Sequence, residues 1–218
     1  MTARPPAPRY LMPAGRHDTE LVIDRSRFRC AIAPAPSIEA AQAFIREVQR
    51  EAPDATHHCW AFLVGPPGST DRIGLSDDGE PHGTAGRPIF TVLQHSGVGD
   101  CVAVVTRYYG GVKLGTGGLV KAYSAAVQQT LETLPRMLKV ARVQMVAQLS
   151  YGVLTAVRQL LPSCEAEVVA ELFTDTVALT LRCPEEQGPR LQQALRDLTR
   201  GQVTFEDVPP QSGSAPVD

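Results

Sequence analysis

The chain has 218 residues, 43% apolar and 20% charged, with a formal net charge of −2. That length accommodates two small domains or one large one, and the near-neutral balance argues against a broad nucleic-acid binder driven by surplus Lys and Arg. No stretch approaches the ~20 apolar residues of a membrane span, MTARPPAPRY lacks the apolar core of a signal peptide, and five scattered cysteines (Cys30, Cys59, Cys101, Cys164, Cys183) without C-x-x-C spacing read as reduced, buried thiols; a cytoplasmic protein with no membrane partner is expected.

Residues 1–15 and 209–218 are rich in Pro, Gly and Ser, carry no apolar period and are predicted to be disordered. From Leu21 to Ala33 the pattern predicts strands. Ser37 then reads as an N-cap for a helix whose Ile38, Ala41, Ile45 and Val48 recur at helical spacing until Pro53. The run HCWAFLV (His58–Val64) is a short apolar strand, and VAVVT (Val102–Thr106), dense in β-branched residues, a central one. Between them Thr84 is placed to cap a helix that turns Ile89, Val92 and Leu93 inward, with Pro88 in its first turn. A further helix carries Val120, Tyr123, Val127, Leu131 and Leu134 as an apolar stripe and stops at Pro135. Beyond Lys139 the order is strand, helix (Val153–Leu161), two strands (around Ala166–Leu172 and Thr176–Leu181), helix (Leu191, Leu195, Leu198) and a last strand near Val203–Phe205, which is the ferredoxin-like βαββαβ arrangement. An α+β, two-domain chain is expected, with a mixed α/β domain over 16–135 and a ferredoxin-like domain over 138–208.

Thirteen of the 18 glycines lie between Gly65 and Gly118, more than ordinary loops need. Two clusters stand out. RYYGGVKLGTGGLVKAY leaves a predicted strand and enters a predicted helix, which aims backbone N–H groups and a helix N-terminus at one spot, an anion site to which Lys113, Thr116 and Lys121 add charge or a hydroxyl. It is not a P-loop, because Thr116 follows Gly110-x-x-x-x-Gly115 where Lys belongs, nor a dinucleotide fingerprint, because Val120 occupies the third glycine position. The alternative is a tight strand-to-helix turn without a ligand. SDDGEPHGTAG holds Asp77, Asp78 and Glu80 near His82, a set that suits a hard cation or acid–base chemistry; the alternative is a solvated loop in which the aspartates bond nearby amides. His57 and Cys59 face one side of their strand and His58 the other, which disfavours a histidine pair on a metal and makes Cys59 a core residue and one histidine a cleft residue. With five basic and five acidic side chains between Gly65 and Lys121, the region suits one or two phosphates and not a DNA groove.

ATHHCWAF, SDDGEPHGTAGRP and VVTRYYGGVKLGTGGLVKAY, preceded by RSRFRCAIAP, resemble the signature of the YigZ/IMPACT proteins over roughly Asp24 to Leu134. The second domain resembles the one appended in bacterial members. The resemblance implies a first domain similar to domain IV of elongation factor G and a second similar to that factor's last domain. It also implies a translation-related role acting through RNA, the ribosome or a protein partner. The leading expectation is a regulator that leans away from enzymatic activity, with no cofactor and no metal. Its motif positions here are His57, His58, Asp77, Asp78, Glu80, Gly83, Thr84, Gly86, Arg107, Tyr108, Gly110, Gly111, Gly115, Gly117 and Gly118. His82 departs from the pattern, which has a small residue there. The rival expectations are a metal- or phosphate-dependent hydrolase built on Asp77, Asp78 and Glu80, and a purely protein-binding module.

Overall fold

The computed structural model describes residues 9–207, and the chain divides into two compact units, the first spanning Arg9–Lys139 and the second beginning at Val140. The fold is α+β.

In the first unit β1 (Tyr10–Pro13), β2 (His17–Ile23) and β3 (Ser26–Pro34) precede α1 (Ile38–Glu51). Then come β4 (His57–Leu63), β5 (Ile73–Ser76), α2 (Gly86–His95), β6 (Cys101–Tyr108), α3 (Gly115–Thr133) and β7 (Arg136–Lys139). Five strands form one antiparallel sheet in the order β2-β3-β6-β4-β5. β6, whose residues Cys101 to Arg107 are all buried, runs through its centre, as its β-branched sequence predicts. Alternation along the strands gives each face a core. Phe28, Cys59 and Val105 pack with α2 and α3, while Ala31, Phe62 and Val104 pack with α1. Ser37 caps α1 as expected, its hydroxyl accepting from the Ala40 amide.

Three expectations are corrected here. Within the segment expected to be disordered, Tyr10–Pro13 is a strand that pairs antiparallel with β7, Tyr10 opposite Lys139; residues 1–8 and the tail 209–218 lie outside the described residues. The first unit accordingly reaches past Pro135 to Lys139. Its two end strands are held by buried Asp100, whose carboxylate accepts from the Tyr10 hydroxyl (2.5 Å), the Gly65 amide (2.7 Å) and the Lys139 ammonium. Second, Thr84 does not cap α2: its hydroxyl donates to the Pro81 carbonyl oxygen, and Ala85 is the N-cap position, without a side-chain cap of its own. Third, Val120 is exposed, because α3 turns Leu119, Ala122, Tyr123 and Ala126 inward.

The second unit contains β8 (Arg142–Leu149), α4 (Leu154–Leu160), β9 (Glu167–Phe173), β10 (Val177–Pro184), α5 (Gly188–Leu198) and β11 (Thr204–Asp207). Its antiparallel sheet has the order β11-β8-β10-β9, the ferredoxin-like topology. Val177, Leu179 and Leu181 on one face of β10 pack with Val157, Leu191 and Leu195 from the two helices.

Candidate functional site

The acidic loop is built around Asp77. Its carboxylate accepts from the amides of Gly83 (2.8 Å), Ala85 (3.0 Å) and Gly86 (2.9 Å), so a side chain from the end of the preceding strand region caps α2 from a distance. Gly83 makes this possible with φ +75°, and Gly86 because a Cβ there would lie 2.8 Å from the Ser76 backbone. Burial pushes the Asp77 carboxyl up, but the three amides and His82 outweigh it and hold the group below its ordinary value. A depressed folded value means that the stability Asp77 provides is complete above the unfolded value of about 4 and is lost as pH falls through the folded one. Asp77→Ala is expected to cost roughly 2 kcal/mol, the upper end for an N-cap. Asp77→Asn should flatten the acid limb of stability against pH, read from urea unfolding by the fluorescence of Trp60, the single tryptophan. Identical pH dependence in the two proteins would remove Asp77 from this role.

Asp78 and Glu80 point to other partners. The Asp78 carboxylate accepts from the His58 amide (2.6 Å), and its carbonyl oxygen accepts from Nδ1 of His57 (2.7 Å). Glu80 is buried. Its Oε1 accepts from Arg107 (2.5 Å) and from the Tyr123 hydroxyl (2.8 Å), and the two charged side chains are only 3% and 7% exposed. The Cys59 thiol lies 3.3 Å from the Tyr123 hydroxyl, with burial and the neighbouring carboxylates pushing it up to about 12; the Tyr123 hydroxyl is raised as well, by burial and by Cys59 and Glu80. Both therefore stay protonated at neutral pH. The guanidinium of Arg107 sits 5.5 Å from the ring centre of Phe28 and 5.6 Å from that of Tyr109, and its Nε is buried without a hydrogen-bond partner. The three carboxylates of the acidic loop thus have three separate structural duties, and among the described residues no group of three His, Cys, Asp or Glu is placed to hold a metal.

The two glycine clusters meet at one cleft of about 380 Å³. Its walls are His57, Glu80 and Pro81 on one side and Arg107, Tyr109, Lys113 and the first turn of α3 (Gly115, Thr116) on the other, with Thr56, Leu114 and Leu119 completing it. The start of α3 has no side-chain cap, so its first amides are open to a ligand. His57 reaches the cleft because it is the cross-strand partner of Arg107 at the ends of β4 and β6. Tyr109 is 47% exposed. Sequence reasoning missed it, together with Thr56, Pro81, Leu114 and Leu119. Tyr109 ends the run Arg-Tyr-Tyr, and alternation alone does not say which tyrosine leaves the sheet.

The remaining expected site residues lie elsewhere or act as scaffold. His58 is buried on the α1 side, bonded to the Ala52 carbonyl oxygen and Thr106. Tyr108 stacks under the Arg27 guanidinium at 4.5 Å. Gly110 lies against the β2–β3 hairpin, where a Cβ would be 2.1 Å from the Arg25 carbonyl carbon. Gly111 takes φ +84°, and Gly117 and Gly118 belong to the first turn of α3. Thr84 and Gly86 shape the Asp77 loop. Lys121 is exposed farther along α3 and does not line the cleft.

A family model described as the Impact N-terminal domain matches residues 24–131, and one described as a domain of unknown function (DUF1949) matches residues 148–202. The chain is similar to a protein of Escherichia coli (strain K12) named IMPACT family member YigZ, at 40% identity over 194 residues covering 89% of this chain and 95% of that protein. An IMPACT family member of Haemophilus influenzae is 38% identical over 197 residues, 90% of this chain and 96% of that protein. A solved structure described as that of a hypothetical protein matches with a TM-score of 0.66 at 38% identity, over 93% of this chain and 98% of that one.

Proposed function

This chain belongs to the IMPACT family, and from that membership we propose that it is a non-enzymatic regulator associated with translation that engages single-stranded RNA, free or on the ribosome, through the cleft of its first unit. What carries the reading is the convergence at one cleft of an uncapped helix start, Lys113, the Arg107 guanidinium and the exposed ring of Tyr109. Amides and a cation suit a phosphate, and an aromatic face suits an unstacked base. The net charge of −2 is compatible with contact to one or two phosphates and unfavourable to a long basic groove. The likeness to an elongation-factor domain that the family resemblance implies points the same way.

Lys113 is exposed. Lys113→Ala should therefore leave the melting temperature unchanged while weakening RNA binding by about 10- to 150-fold, the worth of a charge-assisted hydrogen bond. Binding to purified ribosomal subunits and to a labelled single-stranded oligonucleotide, each at two salt concentrations, checks this. Binding that is indifferent to Lys113→Ala and to salt would replace the RNA reading with that of a protein-binding module.

A further inference from the structure

The cleft is chemically divided. Its donors are Lys113, the first amides of α3 and Arg107, a side chain only 7% exposed whose Nε lacks a partner. Its acceptors are His57 and Glu80. Nδ1 of His57 donates to the Asp78 carbonyl oxygen at 2.7 Å, so in the neutral ring the proton is on Nδ1 and the lone pair is on Nε2. Glu80 takes its hydrogen bonds from Arg107 and Tyr123 on Oε1 alone, leaving Oε2 without one.

An all-anionic ligand would gain from the donors and be repelled by a carboxylate oxygen and an imidazole lone pair in the same small cavity. A ligand that carries hydroxyl donors next to its phosphate satisfies both halves. A ribonucleotide has that composition, and a deoxyribonucleotide within a strand lacks the hydroxyl. The geometry points to His57 and Glu80 as the pair that accepts the hydrogen bond of a ribose 2′-hydroxyl, which makes the cleft selective for RNA over DNA. This rests on the RNA-binding reading above and adds a discrimination which that reading does not require. The hydroxyl is the donor, and the acceptor is either a carboxylate, which shortens and strengthens the bond, or a ring nitrogen held in place by Asp78. Without the hydroxyl, the acceptor it served loses that partner, and that loss is what discriminates.

The test uses the full chain and three labelled single strands with the same uracil bases: oligouridylate, its 2′-deoxy counterpart and its 2′-O-methyl counterpart. Fluorescence anisotropy should show the ribo strand binding roughly tenfold more tightly than the deoxy strand, the effect of one hydrogen bond to a charged acceptor. The 2′-O-methyl strand keeps an acceptor oxygen but has no proton to donate, and should bind as weakly as the deoxy strand. His57→Ala should lower the ribo-to-deoxy ratio, and an unchanged ratio would overturn the assignment of His57. If the wild-type protein binds all three strands equally, or the 2′-O-methyl strand as well as the ribo strand, the 2′-hydroxyl assignment is overturned while RNA binding stands. If no strand binds in a Lys113-dependent way, it is the RNA reading itself that fails.

Discussion

Glu80→Ala is expected to destabilise the first unit by about 3–5 kcal/mol, the cost of leaving a buried ion-pair partner alone. The Arg107 guanidinium would keep its charge in a site where its side chain is 7% exposed and its Nε already lacks a partner, and the Tyr123 hydroxyl would lose its acceptor. Removing both charges is a smaller perturbation than removing one, since neither partner is then stranded. The double variant Glu80→Ala, Arg107→Met should thus recover at least half of the loss, the methionine filling part of the space against Phe28 that the arginine occupied. Trp60 on β4 reports unfolding of the first unit alone, because the second contains no tryptophan. A Glu80→Ala midpoint within ~1 kcal/mol of wild type would show that this pair is not a keystone of the cleft floor.

Gly110→Ala should be comparably severe for a different reason. The added Cβ would meet backbone atoms, at 2.1 Å from the Arg25 carbonyl carbon and 2.4 Å from the Ser26 nitrogen. Side chains yield to such contacts, but here the neighbour is a hairpin turn in which Asp24 (φ 45°) and Arg25 (φ 66°) already occupy the left-handed region. The turn cannot retreat without moving Ser26, whose hydroxyl accepts from the Gly110 amide, or Phe28, which is fully buried. A loss of about 3 kcal/mol or more is expected, at or beyond the usual range for overpacking. Gly117 is the internal control: nothing lies within 4 Å of its added Cβ and it sits in a helix, so Gly117→Ala should gain up to about 1 kcal/mol from helix propensity. Equal urea midpoints for the two variants would contradict this account of the glycines.

Much of the fold was legible because it is local. Ser37 ahead of an apolar helical period, the β-branched run of β6 and the βαββαβ order of the second unit all announce themselves within short windows. The site was half legible. Glycine density marks both loops and alternation assigns His57 and His58 to opposite faces, but which carboxylate answers Arg107 depends on loop geometry that spacing does not encode: Glu80 takes that role, and not Asp77 or Asp78. The cap of α2 was misassigned for the same reason. Thr84 has the right residue type next to the helix, but Asp77, farther back in the sequence, brings a charged acceptor to three amides at once. Membership of β1 in the fold was invisible, because four residues in a proline-rich stretch become a strand only when β7 lies beside them.

That pairing has a consequence for how the first unit comes into being. Tyr10 and Lys139 are neighbours in space and lie at opposite ends of the unit's sequence. A growing polypeptide exposes β1 early, and its partner strand is the last piece of the unit to be made. Closing so long a loop is slow, and its entropic cost falls due before the contacts can offset it. Until β7 arrives, Asp100 lacks the Lys139 ammonium, one of its three donors, and β1 lacks the strand it pairs with. The two-stranded β1–β7 sheet can therefore form only once the final strand of the unit has been synthesised.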